Sequence, residues 1–188
     1  MNKEIQTALL RVLPFLVALF VISYKIRQKK INSQEIFLTK PNSVLRFLLC
    51  VFGFIAFALL IEIILYYNCL LEIDTWNHPL LSSVIRITGA VILAPIVEEL
   101  LFRGFILTFL LKKKLNVHLA VAIQAVFFVL LHNFTYQNTF SSNLGIAQGY
   151  VDASLFAYAR NYTKSLYTPI TMHMSGNLIA TLERFVLA

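Results

Sequence analysis

Charged residues are scarce in this sequence. Only 13% of its 188 residues are Asp, Glu, Lys or Arg, and the acidic residues number nine, whereas 59% of the residues are hydrophobic. Soluble domains average about 25% charged and about 45–50% apolar residues. The composition therefore excludes an ordinary soluble domain and predicts a single integral membrane domain over residues 1–188.

Cysteine is also scarce, because the chain has only Cys50 and Cys69. Two cysteines provide no disulfide framework. If both lie on one continuous helix, they are about 28 Å apart, which is too far for a disulfide bond. We therefore interpret both as packing residues of membrane helices.

Long hydrophobic runs predict an all-α fold, a polytopic membrane helix bundle of about six transmembrane helices. The predicted spans are residues 7–24, 44–67, 80–111, 116–136, 143–160 and 165–187. The third run would be about 48 Å long as a helix, longer than the roughly 30 Å hydrocarbon core. We therefore expect it to tilt, protrude or kink, with Pro95 as the kink point.

The fifth run is only weakly hydrophobic because it contains Gln148 and Asp152. We expect this segment to be partly re-entrant or to line a cavity, since polar groups are tolerated at membrane depth only in such places. Residues 1–67 hold two N-terminal transmembrane helices, and the polar motifs described below lie within 80–180.

Basic residues exceed acidic residues and give the chain a formal net charge of +7. They cluster in the connections after the first, third and fifth spans, whereas residues 68–79 and 133–142 contain no Lys or Arg. The positive-inside rule then places the basic connections in the cytoplasm and both termini outside. The lipid bilayer, and not nucleic acid, is therefore the expected partner of the basic residues.

Two adjacent carboxylates, Glu98 and Glu99, lie in one of the most apolar stretches of the chain. Each ionisable residue at a helix centre costs about 2.5–3.5 kcal/mol or more, so such residues are candidates for function. Arg103 shares a helix face with Glu99 at i,i+4, whereas Glu98 lies about 100° around the helix. One carboxylate is thus paired and the other is free to accept a proton. A buried ion pair that only fixes helix packing would need one Glu.

Two further pairs of residues share a helix face at i,i+4, namely Phe128 with His132 and His173 with Asn177. A lone histidine in an apolar helix is more often a packing residue. Two histidines on different helices, together with the carboxylate pair, instead predict an acid–base site with an amide donor. The depth of His132 is a difficulty, because the fourth span must continue to about residue 136 for His132 to reach Glu98.

These three motifs, Glu-Glu-x-x-x-Arg, Phe-x-x-x-His and His-x-x-x-Asn, occur in this order on separate predicted helices. In this respect the sequence resembles the CPBP intramembrane proteases over about residues 80–180. That family includes type II CAAX prenyl endopeptidases and bacteriocin-processing or self-immunity (Abi) proteins. The short chain is similar to the bacterial members, which implies a multi-pass protein of the bacterial cell membrane.

The resemblance implies an endopeptidase that cuts a peptide or membrane-protein substrate near or within the membrane. Glu98 and His132 would activate a water molecule, and His173 and Asn177 would stabilise the oxyanion.

The two remaining motif residues, Glu99 and Arg103, would orient the site and balance its charge. No cofactor is expected, because the resemblance favours a metal-independent glutamate mechanism.

Three alternatives remain open from the sequence. A zinc-dependent protease would use Glu98, His132 and His173 as ligands, although no His-Glu-x-x-His motif is present. A bacteriocin-immunity or scaffold protein would keep the motifs without catalysis. A proton-coupled carrier would also bury Glu and His, but the chain shows no inverted repeat.

Overall fold

The computed structural model describes residues 3–70, 73, 75–132 and 139–186. Within these ranges the chain forms six helices and no strand. The helices are α1 Lys3–Arg27, α2 Val44–Tyr67, α3 Leu80–Lys112, α4 Val117–His132, α5 Phe140–Thr163 and α6 Tyr167–Val186. The predicted all-α class and membrane helix bundle are confirmed.

The six helices differ in hydrophobicity. By length and composition α1, α2 and α3 can cross a membrane, whereas α4 is apolar but has only 16 residues. The weakly hydrophobic fifth run forms one continuous helix of 24 residues, α5, rather than a re-entrant segment. The predicted end of the fourth span at 136 and of the sixth at 187 lie outside the described residues.

The long helix α3 has two π-helical segments, Thr88–Leu93 and Leu100–Ile106. The Ala94 N–H group donates to the carbonyl of Gly89, five residues back. The helical turn that precedes Pro95 is therefore wider than an α-helical turn. At Pro95, the predicted kink point, α3 therefore changes its hydrogen-bond register. Isolated π turns inside α-helices occur frequently at functional sites, and the two segments lie on either side of Glu98 and Glu99.

Close packing holds the N-terminal helices against the rest of the bundle. A Cβ atom at Gly89 of α3 would lie 2.5 Å from Cγ2 of Val12 in α1. At Gly176 of α6 the Cβ would lie 3.3 Å from the ring of Phe54 in α2, and this ring contacts Phe156 of α5 edge to face at 5.0 Å. The helices α1 and α2 are therefore packed on the helices that carry the motifs.

The connection between α1 and α2 closes one end of the bundle. Asn42 N–H donates to Thr163 O at 2.9 Å, Leu166 N–H donates to Phe37 O at 2.7 Å, and the Ser165 hydroxyl donates to Thr39 O. These bonds tie the connection to the turn between α5 and α6. The end of the bundle with this turn is called the basic end below, because most Lys and Arg residues lie there.

Replacement of Gly89 tests the contact between α1 and α3. The variant Gly89→Ala should be less stable by about 1–3 kcal/mol, because the new methyl group overlaps Val12. Thermal unfolding in detergent measures the change. Gly53→Ala in α2 is the matched control, since a Cβ there meets no atom within 4 Å.

The double variant Gly89→Ala with Val12→Ala should recover part of the lost stability, because it removes the overlapping methyl groups. An unfolding temperature for Gly89→Ala equal to that of Gly53→Ala would contradict the predicted overlap.

Candidate active site

Two imidazoles from two helices meet at one carboxylate oxygen of a third helix. His132 Nε2 of α4 lies 3.2 Å from Glu98 Oε2 of α3, and His173 Nε2 of α6 lies 3.6 Å from the same oxygen. His132 is the last residue of α4 and its side chain is 43% exposed, yet it contacts Glu98. His132 thus reaches Glu98 within the described residues, and the predicted continuation of the fourth span to residue 136 lies outside them.

The other nitrogen of each imidazole is held by an acceptor. His132 Nδ1 lies 2.7 Å from the carbonyl oxygen of Phe128, and His173 Nδ1 lies 2.9 Å from Glu99 Oε1. Because a carbonyl and an ion-paired carboxylate can only accept, both Nδ1 atoms carry a hydrogen. This fixes the orientation of both rings and directs both Nε2 atoms towards Glu98.

The contacts at Glu98 need at least one shared proton. A neutral imidazole with its hydrogen on Nδ1 has a lone pair on Nε2. Two such lone pairs and a carboxylate oxygen would meet without a donor. One proton placed on Nε2 or on the carboxyl group turns a repulsive contact into a hydrogen bond. Glu98, His132 and His173 can therefore share a proton at this contact.

The second carboxylate, Glu99, is engaged in a buried ion pair. Arg103 Nη1 donates to Glu99 Oε1 at 2.8 Å, and neither side chain is exposed, whereas Glu98 is 16% exposed. Arg103 Nη2 also donates to the carbonyl of Ala153 in α5 at 2.9 Å. The i,i+4 spacing thus separates the two carboxylates, with one enclosed in an ion pair and one at the histidines.

Aromatic rings surround Arg103 and support the histidines. The guanidinium carbon lies 4.8 Å from the ring centre of Phe128 and 5.2 Å from that of Phe156. Phe128 stacks on the ring of His132 at 4.1 Å, and Phe156 stacks on that of His173 at 5.2 Å. Cation–π contacts of this type stabilise a desolvated guanidinium. Each phenylalanine thus connects the buried cation to one histidine.

Sequence reasoning missed Gln124, which is fully buried in α4. Its Nε2 donates to the carbonyl of Ala153 at 3.0 Å and to that of Val121 at 3.1 Å. The carbonyl of Ala153 is therefore a shared acceptor for Gln124 and Arg103. A polar amide within a strongly apolar helix was the available signal, because such a group must find a partner in the bundle.

Asn177 of α6 bonds to the backbone of α3 and, within the described residues, forms no hydrogen bond with the side chains described above. Its Nδ2 donates to the carbonyl of Ala90 at 2.8 Å. In the π register, the partner of this carbonyl would be the nitrogen of Pro95, which has no hydrogen. Asn177 supplies the missing donor. Of the six predicted site residues, five form one contact network, and Asn177 is held beside that network by Ala90.

A cavity of about 690 Å³ connects these residues. Its polar lining includes Glu98, His132 and His173, and also Gln148 and Asp152 of α5. The expected cavity-lining role of the fifth run is thus observed. A further part of the lining is apolar and comes from α1 and α2. The volume lies in the usual range for ligand sites of about 300–1,000 Å³.

The zinc alternative has suitable donor types, since zinc binds imidazole nitrogen and carboxylate oxygen. Within the part of the chain that the structure describes, however, no group of three or more His, Cys, Asp and Glu side chains is arranged to hold a metal ion. The Glu98 carboxylate contacts both imidazoles directly. The predicted acid–base site and the zinc alternative therefore involve the same three side chains.

Comparisons with known proteins identify the family of this chain. A protein-family model described as type II CAAX prenyl endopeptidase Rce1-like matches residues 80–179. The match covers more than half of the chain and includes all six predicted site residues, which confirms the resemblance to the CPBP proteases. Comparisons with curated proteins and with solved structures give no match. This chain belongs to the type II CAAX prenyl endopeptidase Rce1-like family.

Proposed function

We propose that the chain is an intramembrane endopeptidase that hydrolyses a peptide bond near or within the membrane. Family membership supports a CAAX-type membrane protease in general. The observation that carries the finer proposal is the meeting of two imidazole Nε2 atoms at one partly exposed carboxylate, inside a cavity between apolar helices. Hydrolysis of a peptide requires a base for water and a donor for the oxyanion.

In the proposed first step, Glu98 and His132 remove a proton from water while the water oxygen bonds to the carbonyl carbon of the peptide. The electron pair of the C=O double bond moves onto the oxygen. In the second step the oxyanion re-forms the C=O double bond, the C–N bond breaks with its electron pair moving to nitrogen, and the same proton passes to this leaving nitrogen. The shared proton position between the two side chains, 3.2 Å apart, supports this exchange.

The oxyanion would accept from His173 and Asn177. An amide nitrogen carries two hydrogens, and Ala90 uses one of those on Asn177, so the second remains for the substrate. His173 donates from Nε2 when it is an imidazolium, since its Nδ1 hydrogen is directed at Glu99. With Glu98 and Glu99 ionised and Arg103 charged, one imidazolium brings the net charge of the site to zero.

The proposed substrate is a peptide or a segment of a membrane protein, and the lipid bilayer is the second partner. A multi-pass protein of the bacterial cell membrane, with a role in bacteriocin processing or self-immunity, is the biological setting that we propose. The zinc-dependent protease, the non-enzymatic immunity or scaffold protein and the proton-coupled carrier are the competing proposals that the experiments below separate.

Removal of the base should abolish cleavage. We expect Glu98→Gln and His132→Ala to lower kcat by about 10²–10⁴-fold, because each removes a proton acceptor. Peptides released from membranes with the wild-type protein, but absent with Glu98→Gln, identify a substrate for rate measurements in liposomes. Glu35→Gln makes the same chemical change at the distant basic end and should keep full activity.

Full activity in both Glu98→Gln and His132→Ala would overturn the proposal. A wild-type protein that cleaves nothing but binds a membrane partner, with binding retained in Glu98→Gln, would favour the immunity or scaffold protein. Proton flux into liposomes that depends on Glu98 would favour the carrier.

Replacement of Asn177 separates catalysis from packing. Asn177→Ala should lower kcat by about 10²–10³-fold with little change in KM, which is the usual effect of losing an oxyanion donor. Steady-state rates and thermal unfolding are measured together on the same preparation. Reduced stability with unchanged kcat would instead assign Asn177 only to the Ala90 carbonyl.

Chelation tests the metal question directly. After dialysis against EDTA and 1,10-phenanthroline, the purified protein should cleave its substrate at a rate within about twofold of the untreated sample, because side chains supply the acid–base chemistry. Loss of activity that zinc restores would replace the metal-independent mechanism by a zinc mechanism.

A further inference from the structure

A second buried arginine, Arg160, lies near the end of α5 at the basic end of the bundle. Only 1% of this residue is exposed. Its Nη1 donates to Asn161 Oδ1 at 2.7 Å and its Nη2 donates to the Thr108 hydroxyl. Within residues 3–70, 73, 75–132 and 139–186, no carboxylate forms an ion pair with it. A buried charge without a counter-ion is costly, so an anion should bind here favourably.

Several donors around this charge are unused. Arg160 Nε and Asn161 Nδ2 are buried and have no hydrogen-bond partner in the described part of the chain. The Thr108 oxygen accepts from Arg160, and its own hydrogen can still be donated. One positive charge with donors on three side chains matches a group with several acceptor oxygens. Phosphate is such a group, and the planar guanidinium is well suited to it.

A phenylalanine covers the guanidinium. The ring centre of Phe37 lies 3.9 Å from the guanidinium carbon of Arg160. Phe37 has φ 59, a left-handed conformation that bulky residues rarely adopt. Its backbone is held there because its carbonyl accepts from Leu166 N–H at 2.7 Å and because Leu38 N–H donates to Ser33 O at 2.8 Å. Rotation of the side chain alone can therefore uncover Arg160 while the backbone stays in place.

The surroundings attract anions. Eleven of the 16 Lys and Arg residues of the chain lie at the basic end: Lys25, Arg27, Lys29, Lys30, Lys40, Arg46, Lys112, Lys113, Lys114, Arg160 and Lys164. The acidic residue described at this end, Glu35, is already engaged, and its hydrogen bond and charge interaction with Lys112 lower its pKa. Such a cluster beside apolar helices lies at the level of lipid headgroups, where each basic residue attracts anionic lipid.

We propose that Arg160, Asn161 and Thr108 form a binding site for the phosphate of an anionic lipid headgroup, with the ring of Phe37 as its cover. The lipid is favoured as the source of the phosphate because the site lies at an end of helices that are apolar enough to cross a membrane. The shared chemistry, a phosphate with at least one negative charge, would also fit free phosphate.

Native mass spectrometry of the full-length protein in detergent tests the site with phosphatidylglycerol as the probe and diacylglycerol, which lacks the phosphate, as the control lipid. The wild type should retain phosphatidylglycerol and not diacylglycerol. Arg160→Gln should weaken retention about tenfold or more, because charge-assisted hydrogen bonds are lost. Arg46→Gln is the matched control, because Arg46 is exposed at the same end and lies 4.8 Å from the ring of Tyr162. It should change retention less than twofold.

Added inorganic phosphate distinguishes the two sources. Lipid that stays bound in millimolar phosphate assigns the site to a lipid headgroup, and lipid that phosphate displaces assigns it to free phosphate. Equal retention of phosphatidylglycerol by the wild type and Arg160→Gln, or equal retention of the two lipids by the wild type, would overturn the proposal.

Two further variants test the site even if Arg160→Gln does not fold. Phe37→Ala removes the cover and should raise retention several-fold, whereas Asn161→Leu removes one donor, leaves Arg160 in place and should lower it. Thermal unfolding shows whether each protein is folded. Retention that falls in folded Phe37→Ala as it does in Arg160→Gln would contradict the role of Phe37 as a cover.

Discussion

The ion pair between Glu99 and Arg103 is the interaction on which the rest of the candidate site depends. Both residues belong to α3 and both are fully buried. Through Arg103 the pair holds the Ala153 carbonyl of α5, and through Glu99 it holds the Nδ1 atom of His173 in α6. Charges enclosed in this way are strongly destabilising when separated. The pair therefore joins three helices in one relative position.

The two π-helical segments of α3 shape the backbone on both sides of the two carboxylates. They lie directly before and after the turn Ala94–Glu99, which carries both carboxylates. A proline normally leaves a carbonyl without a donor inside a helix. Here the wide turn presents that carbonyl, on Ala90, to Asn177 of α6. A local irregularity in one helix thus fixes the side chain of another.

Local features of the site could be predicted from the sequence, and features that depend on packing could not. The i,i+4 spacing was sufficient to pair Glu99 with Arg103, because both lie on one helix. It could not show that His132, at the end of α4, reaches Glu98, because that distance depends on how two helices pack. Phe156 also gave no signal, since it is one of 16 phenylalanines and most apolar helices carry such residues. The π register of α3 depends on hydrogen bonds that no residue pattern specifies.

The walls of the cavity come partly from outside the family region. The match begins at residue 80 and includes every residue of the proposed chemistry. Val12 and Phe15 of α1, together with Phe54 and Ala58 of α2, nevertheless line the same space. The first two helices therefore contribute to the shape of the cavity, and the rest of the chain contributes the residues of the proposed chemistry. Mutations in the first two helices can change which substrate segment fits the cavity without changing the residues of the proposed peptide hydrolysis. Substrate selectivity can therefore diverge among relatives that keep the same reaction.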